Sequence, residues 1–315
     1  MKIQLFLISL FFITMPSLAQ DSENLFIKDI IAPYPYPEKY IQLADSIEVA
    51  YLDEGQGKQT LLFIHGLASY MTAWEKTLGE LSQNYRCVAV DLPGYGRSSK
   101  GHYPSTMSFY AEIISSLIHR LKLKNVTLVG HSMGGQIAVT AALKFPEEVD
   151  ALILLAPAGF ETFTEEDRKA ITAFYTIESM QKATEDQVRT NYRYNFYKMP
   201  ASTEALIQER VKMARADDFS LYCQSVVKGV QGMLSEPVFH RLKEVEQKTL
   251  VLYGTNDFLI PNKLLHPGLS TTSVGKTGAG EIQDCHLEFI RECGHFMQLE
   301  KPKEVLRLIQ DFLKQ

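Results

Sequence analysis

The strongest chemical pattern in the sequence is Gly130-His131-Ser132-Met133-Gly134. It follows the apolar run 126–129 and begins a stretch with helical periodicity, so it predicts a sharp turn between a strand and a helix. A serine at such a turn is held in a strained backbone conformation, with its hydroxyl at the tip of the strand. Side chains at positions 130 and 134 would collide with the turn, which explains both glycines. We therefore predict that Ser132 is a nucleophile.

A serine nucleophile needs a histidine as general base and a carboxylate that orients the histidine. Of the eight histidines, His295 lies in a loop directly after the last predicted strand, where ligand chemistry collects in open α/β sheets. Asp257 follows the predicted strand 250–253, and Glu161, after the preceding strand, is the alternative acid. The order Ser132, Asp257, His295 predicts a catalytic triad.

Two backbone amides are candidates for holding an oxyanion. Met133 begins the helix after the serine, so its N–H points toward the place where negative charge develops. His65-Gly66 ends the predicted strand 61–64, and the loop there brings the N–H of Leu67 into the same region. We predict that Leu67 and Met133 form the oxyanion hole, and that the His65 side chain packs and fixes its loop.

Short apolar runs alternate with helix-like stretches along most of the chain. The runs are mostly continuous rather than alternating, which is typical of strands covered on both faces. The predicted strands are 47–51, 61–64, 87–90, 126–129, 152–155, 250–253 and 287–290, and the predicted helices are 108–121, 134–145 and 302–313. The fold class is therefore α/β, with a mostly parallel central sheet flanked by helices.

One region interrupts this alternation. Residues 160–245 contain no strand-like run but carry six clustered aromatic residues, namely Phe174, Tyr175, Tyr192, Tyr194, Phe196 and Tyr197. We predict a helical cap here, inserted into a core formed by 20–159 and 246–315. The aromatic residues either form the core of the cap or line an apolar substrate pocket. The proline-containing lead-in 20–40 is predicted to be irregular and non-helical, and 267–284 to be a surface loop.

The first 19 residues have the features of a secretory leader, with Lys2, an apolar run from 3 to 15 and small residues before Gln20. We predict cleavage after Ala19 and export to the periplasm or outside the cell, with an uncleaved anchor as the alternative. The net charge of −5 argues against nucleic acid as a partner. Four cysteines are too few for a disulfide scaffold, and no metal-binding pattern occurs, so no metal or other cofactor is predicted.

These motifs, together with Asp91-Leu92-Pro93-Gly94-Tyr95-Gly96-Arg97-Ser98, resemble α/β-hydrolases with a helical cap over about residues 40 to 315. Ser132 to Gln136, followed by Ala156 to Gly159, is similar to the monoacylglycerol-lipase-like branch. Together with the predicted leader, the resemblance implies an exported carboxylic-ester hydrolase that acts on a medium-sized apolar acyl ester through an acyl-enzyme. Contact of the cap with a lipid surface, and the oligomeric state, stay open.

Three other functions stay open. The same motifs resemble hydrolases that cleave carbon–carbon bonds in ring-fission products, although those commonly have Trp where this chain has Phe296 and are usually cytoplasmic. Proline-releasing aminopeptidases share the architecture, and Glu204 or Glu209 of the cap could hold a substrate amine. A non-catalytic binding protein with the same fold is the third alternative.

Overall fold

The computed structural model describes residues 24–314, in which eight strands form one sheet. The strands are β1 (Lys39–Ala44), β2 (Ile47–Glu54), β3 (Thr60–Ile64), β4 (Arg86–Val90), β5 (Val126–His131), β6 (Ala151–Leu155), β7 (Lys248–Gly254) and β8 (Cys285–Ile290). Their order across the sheet is β1-β2-β4-β3-β5-β6-β7-β8. The first two strands run antiparallel to their neighbours and the remaining pairs are parallel, which confirms the predicted fold class.

Twelve α-helices accompany the sheet in the described residues. They are α1 (Ile27–Ile30), α2 (Glu75–Leu81), α3 (Met107–Arg120), α4 (Met133–Lys144), α5 (Glu165–Phe174), α6 (Ile177–Gln181), α7 (Glu185–Arg193), α8 (Thr203–Met213), α9 (Phe219–Ser235), α10 (Thr271–Glu281), α11 (Met297–Glu300) and α12 (Pro302–Leu313). Three 3-10 turns lie at Met71–Trp74, Pro146–Glu148 and Phe239–Glu244. The consecutive helices α5 to α9 lie between β6 and β7, and we call them the cap.

The central strands are apolar because helices cover both of their faces. Every residue of β3 and β5 is buried, as expected for strands with continuous apolar runs. The register places Ile64 of β3 beside Gly130 of β5, and Gly254 of β7 beside Ile290 of β8. The carboxyl ends of these strands therefore lie at one edge of the sheet, and the loops that follow them carry the predicted site residues.

Three predictions about irregular segments were incomplete or wrong. The half-exposed edge strand β1 was not predicted, because its side chains alternate between exposed and partly buried positions. The lead-in contains the single helical turn α1, which ends before the first proline and whose first amide donates to Asp218. The predicted loop 267–284 contains helix α10, whose N-terminus is capped by Ser270. A Cβ at Gly278 would lie 2.1 Å from Phe160, so glycine allows this helix to pack closely.

The predicted secretory leader and the four cysteines lie in different parts of the chain. The predicted leader lies outside the described residues. No helix between residues 24 and 314 is long and apolar enough to cross a membrane. The four cysteines, all of them within the described part, are unpaired.

Candidate active site

Ser132 lies between β5 and α4 in a backbone conformation that L-residues rarely adopt. Its φ is 53° and its ψ is −117°, so the turn is strained in the way expected of a residue held for function. A Cβ at Gly134 would lie 2.2 Å from the carbonyl oxygen of Ile64. Glycine therefore lets helix α4 start directly against the end of β3. The sequence pattern produces the sharp turn that was predicted for it.

The structure joins His295 to Asp257 and leaves Glu161 apart from both. His295 Nδ1 lies 2.7 Å from Asp257 Oδ2, and both side chains are almost completely buried. The other oxygen, Asp257 Oδ1, accepts hydrogen bonds from the amides of Leu259 at 2.8 Å and Ile260 at 3.0 Å. Because a carboxylate only accepts, Nδ1 of His295 carries the hydrogen and Nε2 is free to act as a base.

A second histidine, His131, contacts the loop that carries His295. Its Nε2 donates to the carbonyl oxygen of His295 at 3.1 Å, and the two rings lie 4.8 Å apart. Burial, followed by the proximity of His295, lowers the pKa of His131 well below its ordinary value. His131 therefore stays neutral and holds the backbone of His295 in place.

The amides of Leu67 and Met133 lie on neighbouring elements. Met133 is the first residue of α4, and Leu67 is in the loop after β3. A Cβ at Gly229 of α9 would lie 3.0 Å from Leu67 Cδ1 and 3.4 Å from Met133 Sδ, so both side chains meet at the same point of the cap. His65 fixes this loop, because its Nε2 accepts from the Leu92 amide at 3.0 Å while its Nδ1 donates to the Gly66 carbonyl at 2.7 Å.

Ser132 and His295 line one cavity of about 750 Å³ between the core and the cap. Five of the six aromatic residues singled out in the sequence also line it, namely Phe174, Tyr175, Tyr192, Tyr194 and Phe196. Phe174 and Tyr194 are nevertheless 76% and 55% exposed, so they form part of an open rim. The cap aromatics therefore line this cavity more than they form a separate core.

Two charged cavity-lining residues, Asp186 and Arg210, were not revealed by the sequence, and the cation among them is Arg210. It lies on α8, with its guanidinium 4.8 Å from the ring centroid of Phe219 and its Nη2 3.3 Å from the Met180 carbonyl oxygen. No carboxylate among residues 24–314 forms a salt bridge with it. Leu206, four residues earlier, also lines the cavity, so the pair shares one helix face. Helical spacing alone does not tell which face meets the substrate.

Hydrogen bonds tie the cap to two of the loops that carry the site. In the His295 loop, the Phe296 amide donates to the Asn195 carbonyl at 3.0 Å, and Glu300 accepts from the amides of Gly294 and Tyr197. In the loop after β3, the Tyr70 hydroxyl donates to Glu209 of α8. The cap is therefore positioned by the loops that carry His295 and Leu67.

Asp91, at the end of β4, binds the lead-in to the loop after β3. It is fully buried and accepts from the Tyr34 hydroxyl at 2.8 Å and from the amides of Met71 and Arg97 at 2.7 Å. The lead-in also reaches the cap, since the Ala32 amide donates to Glu209. Residues before β1 therefore brace both sides of the cavity.

Tyr34→Phe is expected to lower the free energy of unfolding by about 1–3 kcal/mol, because Asp91 loses one donor in a buried site. Urea unfolding followed by far-UV circular dichroism measures this change. Tyr40→Phe is the matched control, since Tyr40 is 44% exposed and its hydroxyl donates to Glu38 at the surface. Equal stabilities of the two variants would contradict a bracing role for Tyr34.

The carboxylates considered for an aminopeptidase do not face the cavity as free groups. Glu204 is exposed and pairs with Arg189 at 2.5 Å. Glu209 accepts hydrogen bonds from Tyr70 and Ala32. Neither lines the cavity, so the structure provides no acidic group there for a substrate amine at the positions that the sequence suggested.

Comparison with known proteins adds a family and several relatives. A family model described as alpha/beta hydrolase fold matches residues 59–302. A 2-hydroxy-6-oxononadienedioate/2-hydroxy-6-oxononatrienedioate hydrolase of Pseudomonas putida is 29% identical over 294 residues, which cover 87% of this chain and 96% of the relative.

Solved structures with the same fold include enzymes of different activities. A probable hydrolytic enzyme from Pseudomonas aeruginosa superposes with a TM-score of 0.81 at 24% identity, over 92% of this chain and 98% of that chain. A membrane phospholipase A, described as a bacterial virulence factor, superposes with a TM-score of 0.72 at 25% identity, over 88% of this chain and 86% of that chain.

Proposed function

Because the chain belongs to the alpha/beta hydrolase fold family, we propose that it is a serine hydrolase that cleaves a carbon–carbon bond of an unsaturated oxo acid. The sequence favoured an ester as substrate and kept carbon–carbon cleavage as an alternative. The relatives support the alternative, since the Pseudomonas putida protein is named for a dienedioate, which carries two carboxylates.

The observation that carries this proposal is Arg210 in the lining of the cavity that also contains Ser132 and His295. A guanidinium without a carboxylate partner in the described chain is suited to hold a substrate carboxylate by charge-assisted hydrogen bonds. The rest of the lining is largely aromatic and aliphatic, which suits the conjugated hydrocarbon part of such an acid.

The reaction that we propose begins when His295 Nε2 takes the hydroxyl proton and Ser132 Oγ adds to the substrate ketone. The amides of Leu67 and Met133 hold the oxyanion. Once the dienol has moved its hydroxyl proton to the chain carbon beside the ketone, the bond between that carbon and the carbonyl carbon breaks. Its electron pair forms the conjugated enolate of the 2-oxo acid, which takes the proton from His295. Water, activated by the same histidine, hydrolyses the acyl-enzyme and releases the second acid. Asp257 stabilises the imidazolium in both steps.

The experiment that tests this function compares two substrate classes on the purified protein. We expect 2-hydroxy-6-oxononadienedioate to lose its dienol absorbance, with kcat/KM well above that for any p-nitrophenyl ester from acetate to palmitate. Product analysis by mass spectrometry must show two acids whose atoms sum to the substrate plus one water. Ester turnover without cleavage of the oxo acid would overturn the proposal and support an ester hydrolase.

Arg210→Met is expected to raise KM for the dicarboxylate by about 10- to 100-fold, because one charge-assisted hydrogen bond contributes about 1.5–3 kcal/mol. Turnover of a neutral p-nitrophenyl ester should change less than about 3-fold, since the ester has no group for the guanidinium. Steady-state kinetics on both substrates measure the difference. Arg193→Met, at an exposed position of cap helix α7, is the control. Equal effects on both substrates would contradict a carboxylate-binding role.

A carboxylic ester is the second candidate substrate, and the rim of the cavity favours it. Phe174 and Tyr194 project from the cap, and Leu259, which is 42% exposed, lines the same cavity. Such exposed apolar side chains suit a long acyl chain or a lipid surface. The similar membrane phospholipase A fits this candidate. The ester series above identifies it by a maximum at one chain length.

Export is a further part of the proposal and rests on residues 1–19 of the sequence. Cleavage after Ala19 would give a mature chain that begins at Gln20. Mass spectrometry of the intact protein from the producing cell distinguishes this product from an uncleaved anchor that begins at Met1.

A further inference from the structure

Glu161, the residue considered as an alternative acid, belongs to a separate cluster of titratable groups. Its side chain is buried, and its Oε1 lies 2.5 Å from Nδ1 of His266. The other imidazole nitrogen, Nε2, lies 3.4 Å from Oδ2 of Asp167. The ring of Phe163 stacks on the imidazole with 5.4 Å between centroids. We call Glu161, His266 and Asp167 the imidazole–carboxylate cluster.

One side of this cluster holds the loop that carries Asp257. Both carboxylate oxygens of Glu161 accept from the Asn262 amide at 3.0 Å. Two residues earlier, the amide of Ile260 donates to Asp257 Oδ1 at 3.0 Å. Glu161 and Asp257 therefore hold adjacent parts of one loop, and Asp257 bonds His295 through its other oxygen. A shift of Asn262 would move the carboxylate that orients His295.

The other side of the cluster holds the first helix of the cap. Asp167 lies in the first turn of α5, and its Oδ2 accepts from the amide and the hydroxyl of Thr164. The opposite end of α5 is Phe174, which lines the cavity. His266 is therefore the contact through which α5 meets the Asp257 loop.

The protonation state of His266 decides whether its ring can donate to Glu161 and Asp167 at the same time. A protonated imidazole donates from both nitrogens, whereas a neutral ring has only one N–H. If Glu161 keeps that hydrogen on Nδ1, the lone pair of Nε2 faces the Asp167 carboxylate, and the attraction to α5 becomes repulsion. The hydrogen bond to Glu161 raises the pKa of His266 above its ordinary value, with Asp167 acting in the same direction. Burial raises the pKa of Glu161, and the negative charge of Asp257 adds to that rise.

We propose that His266, in its protonated form, joins cap helix α5 to the Asp257 loop and thereby positions Asp257, the carboxylate that orients His295. The sign follows from the raised pKa of His266: the contact is complete at low pH and is lost as pH rises through the pKa of the folded protein. This role rests on the proposed function only where catalysis is measured, because the contact itself can be followed without any substrate.

The first test follows the contact by hydrogen exchange, with rates corrected for the intrinsic pH dependence. Peptides covering α5 and residues 257–266 should exchange at least about 5-fold faster above the pKa of His266 than below it, a typical size for coupling between two sites. Asp167→Asn removes the repulsion and should make the protection of α5 independent of pH. Imidazole NMR supplies the pKa of His266, which must lie above about 6.5. Exchange in the wild type that does not change with pH would overturn the proposal.

The second test measures the rate at which a fluorophosphonate labels Ser132. In the wild type, the labelling rate should decline at high pH as the imidazole–carboxylate cluster loses its contact. His266→Gln should lower the rate by about 5-fold or more at low pH and should no longer show that decline. His286→Gln is the matched control, because His286 pairs with Glu288 at 3.0 Å on the exposed face of β8. If both variants label at the wild-type rate, His266 positions nothing. If the wild type is not labelled at all, the proposed function fails while the exchange result still decides on the cluster.

If His266→Gln fails to fold, Glu161→Gln supplies the same information. The glutamine keeps an acceptor for the Asn262 amide and for the imidazole but removes the negative charge that favours the protonated ring. We expect a lower pKa of His266 and faster exchange of α5 at neutral pH. An unchanged pKa would overturn the assignment of Glu161 as its main partner.

Discussion

Replacing Ser132 by alanine is expected to lower kcat by about 10⁴- to 10⁶-fold and to abolish labelling by a fluorophosphonate, while the fold is kept. The reason is that Ser132 lies in a strained turn and lines the same cavity as His295. Alanine removes one oxygen at the tip of β5 and adds no atom that could clash. Turnover of the oxo acid and of the esters, measured on the same preparations, provides the readout.

Ser69→Ala is the matched control for this experiment, because Ser69 also lines the cavity but lies in the loop after β3 rather than in a strand–helix turn. It should keep activity within about 3-fold and keep the label on Ser132. Mass spectrometry of the labelled peptide identifies the modified residue. If activity survived Ser132→Ala and fell with Ser69→Ala, the assignment of Ser132 as the nucleophile would be wrong.

The parts of the site that were predictable from the sequence are those that depend on local chain geometry. The turn at Ser132 needs two glycines within five residues, so a short pattern identifies it. Asp257 and His295 follow apolar strands, and parallel strands end at the same edge of a sheet. The bond between these two side chains could therefore be anticipated even though 38 residues separate them.

The parts that could not be predicted depend on how the cap packs on the core. Arg210 lies on helix α8, whose sequence does not tell whether the cavity, the solvent or another helix covers the face that carries it. The pairing of Glu161 with His266 joins residues that are 105 positions apart in two irregular loops. Loops of this kind carry no periodic pattern, so only the folded chain shows which carboxylate meets which imidazole.

Packing also explains why the secondary structure of one irregular segment was not predicted. Helix α10 was expected to be a loop because glycine, serine and threonine disfavour helices in isolation. Ser270 caps its first turn, and small residues let it approach the strands closely. Packing against the sheet therefore outweighed a weak local preference, as tertiary contacts commonly do.

Asp257→Asn is expected to lower kcat by about 10⁴-fold near neutral pH without loss of the fold. The asparagine oxygen can still accept from the amides of Leu259 and Ile260, which turns the amide NH₂ group toward His295. A donor at that position forces the hydrogen of the imidazole onto Nε2, where it cannot take the proton of Ser132. The rate of Ser132 labelling should fall with kcat, because both steps need the same base.

Glu161→Gln separates this effect from a general loss of negative charge near the site. It removes a carboxylate from the same region, but that carboxylate bonds His266 and the Asn262 amide rather than His295. We therefore expect a loss of about 5- to 10-fold, as for a positioning residue, against the much larger loss for Asp257→Asn. Comparable losses in the two variants would mean that Glu161 acts on the reaction directly. A small loss for Asp257→Asn alone would mean that His295 works without a carboxylate, and the triad would have to be reassigned.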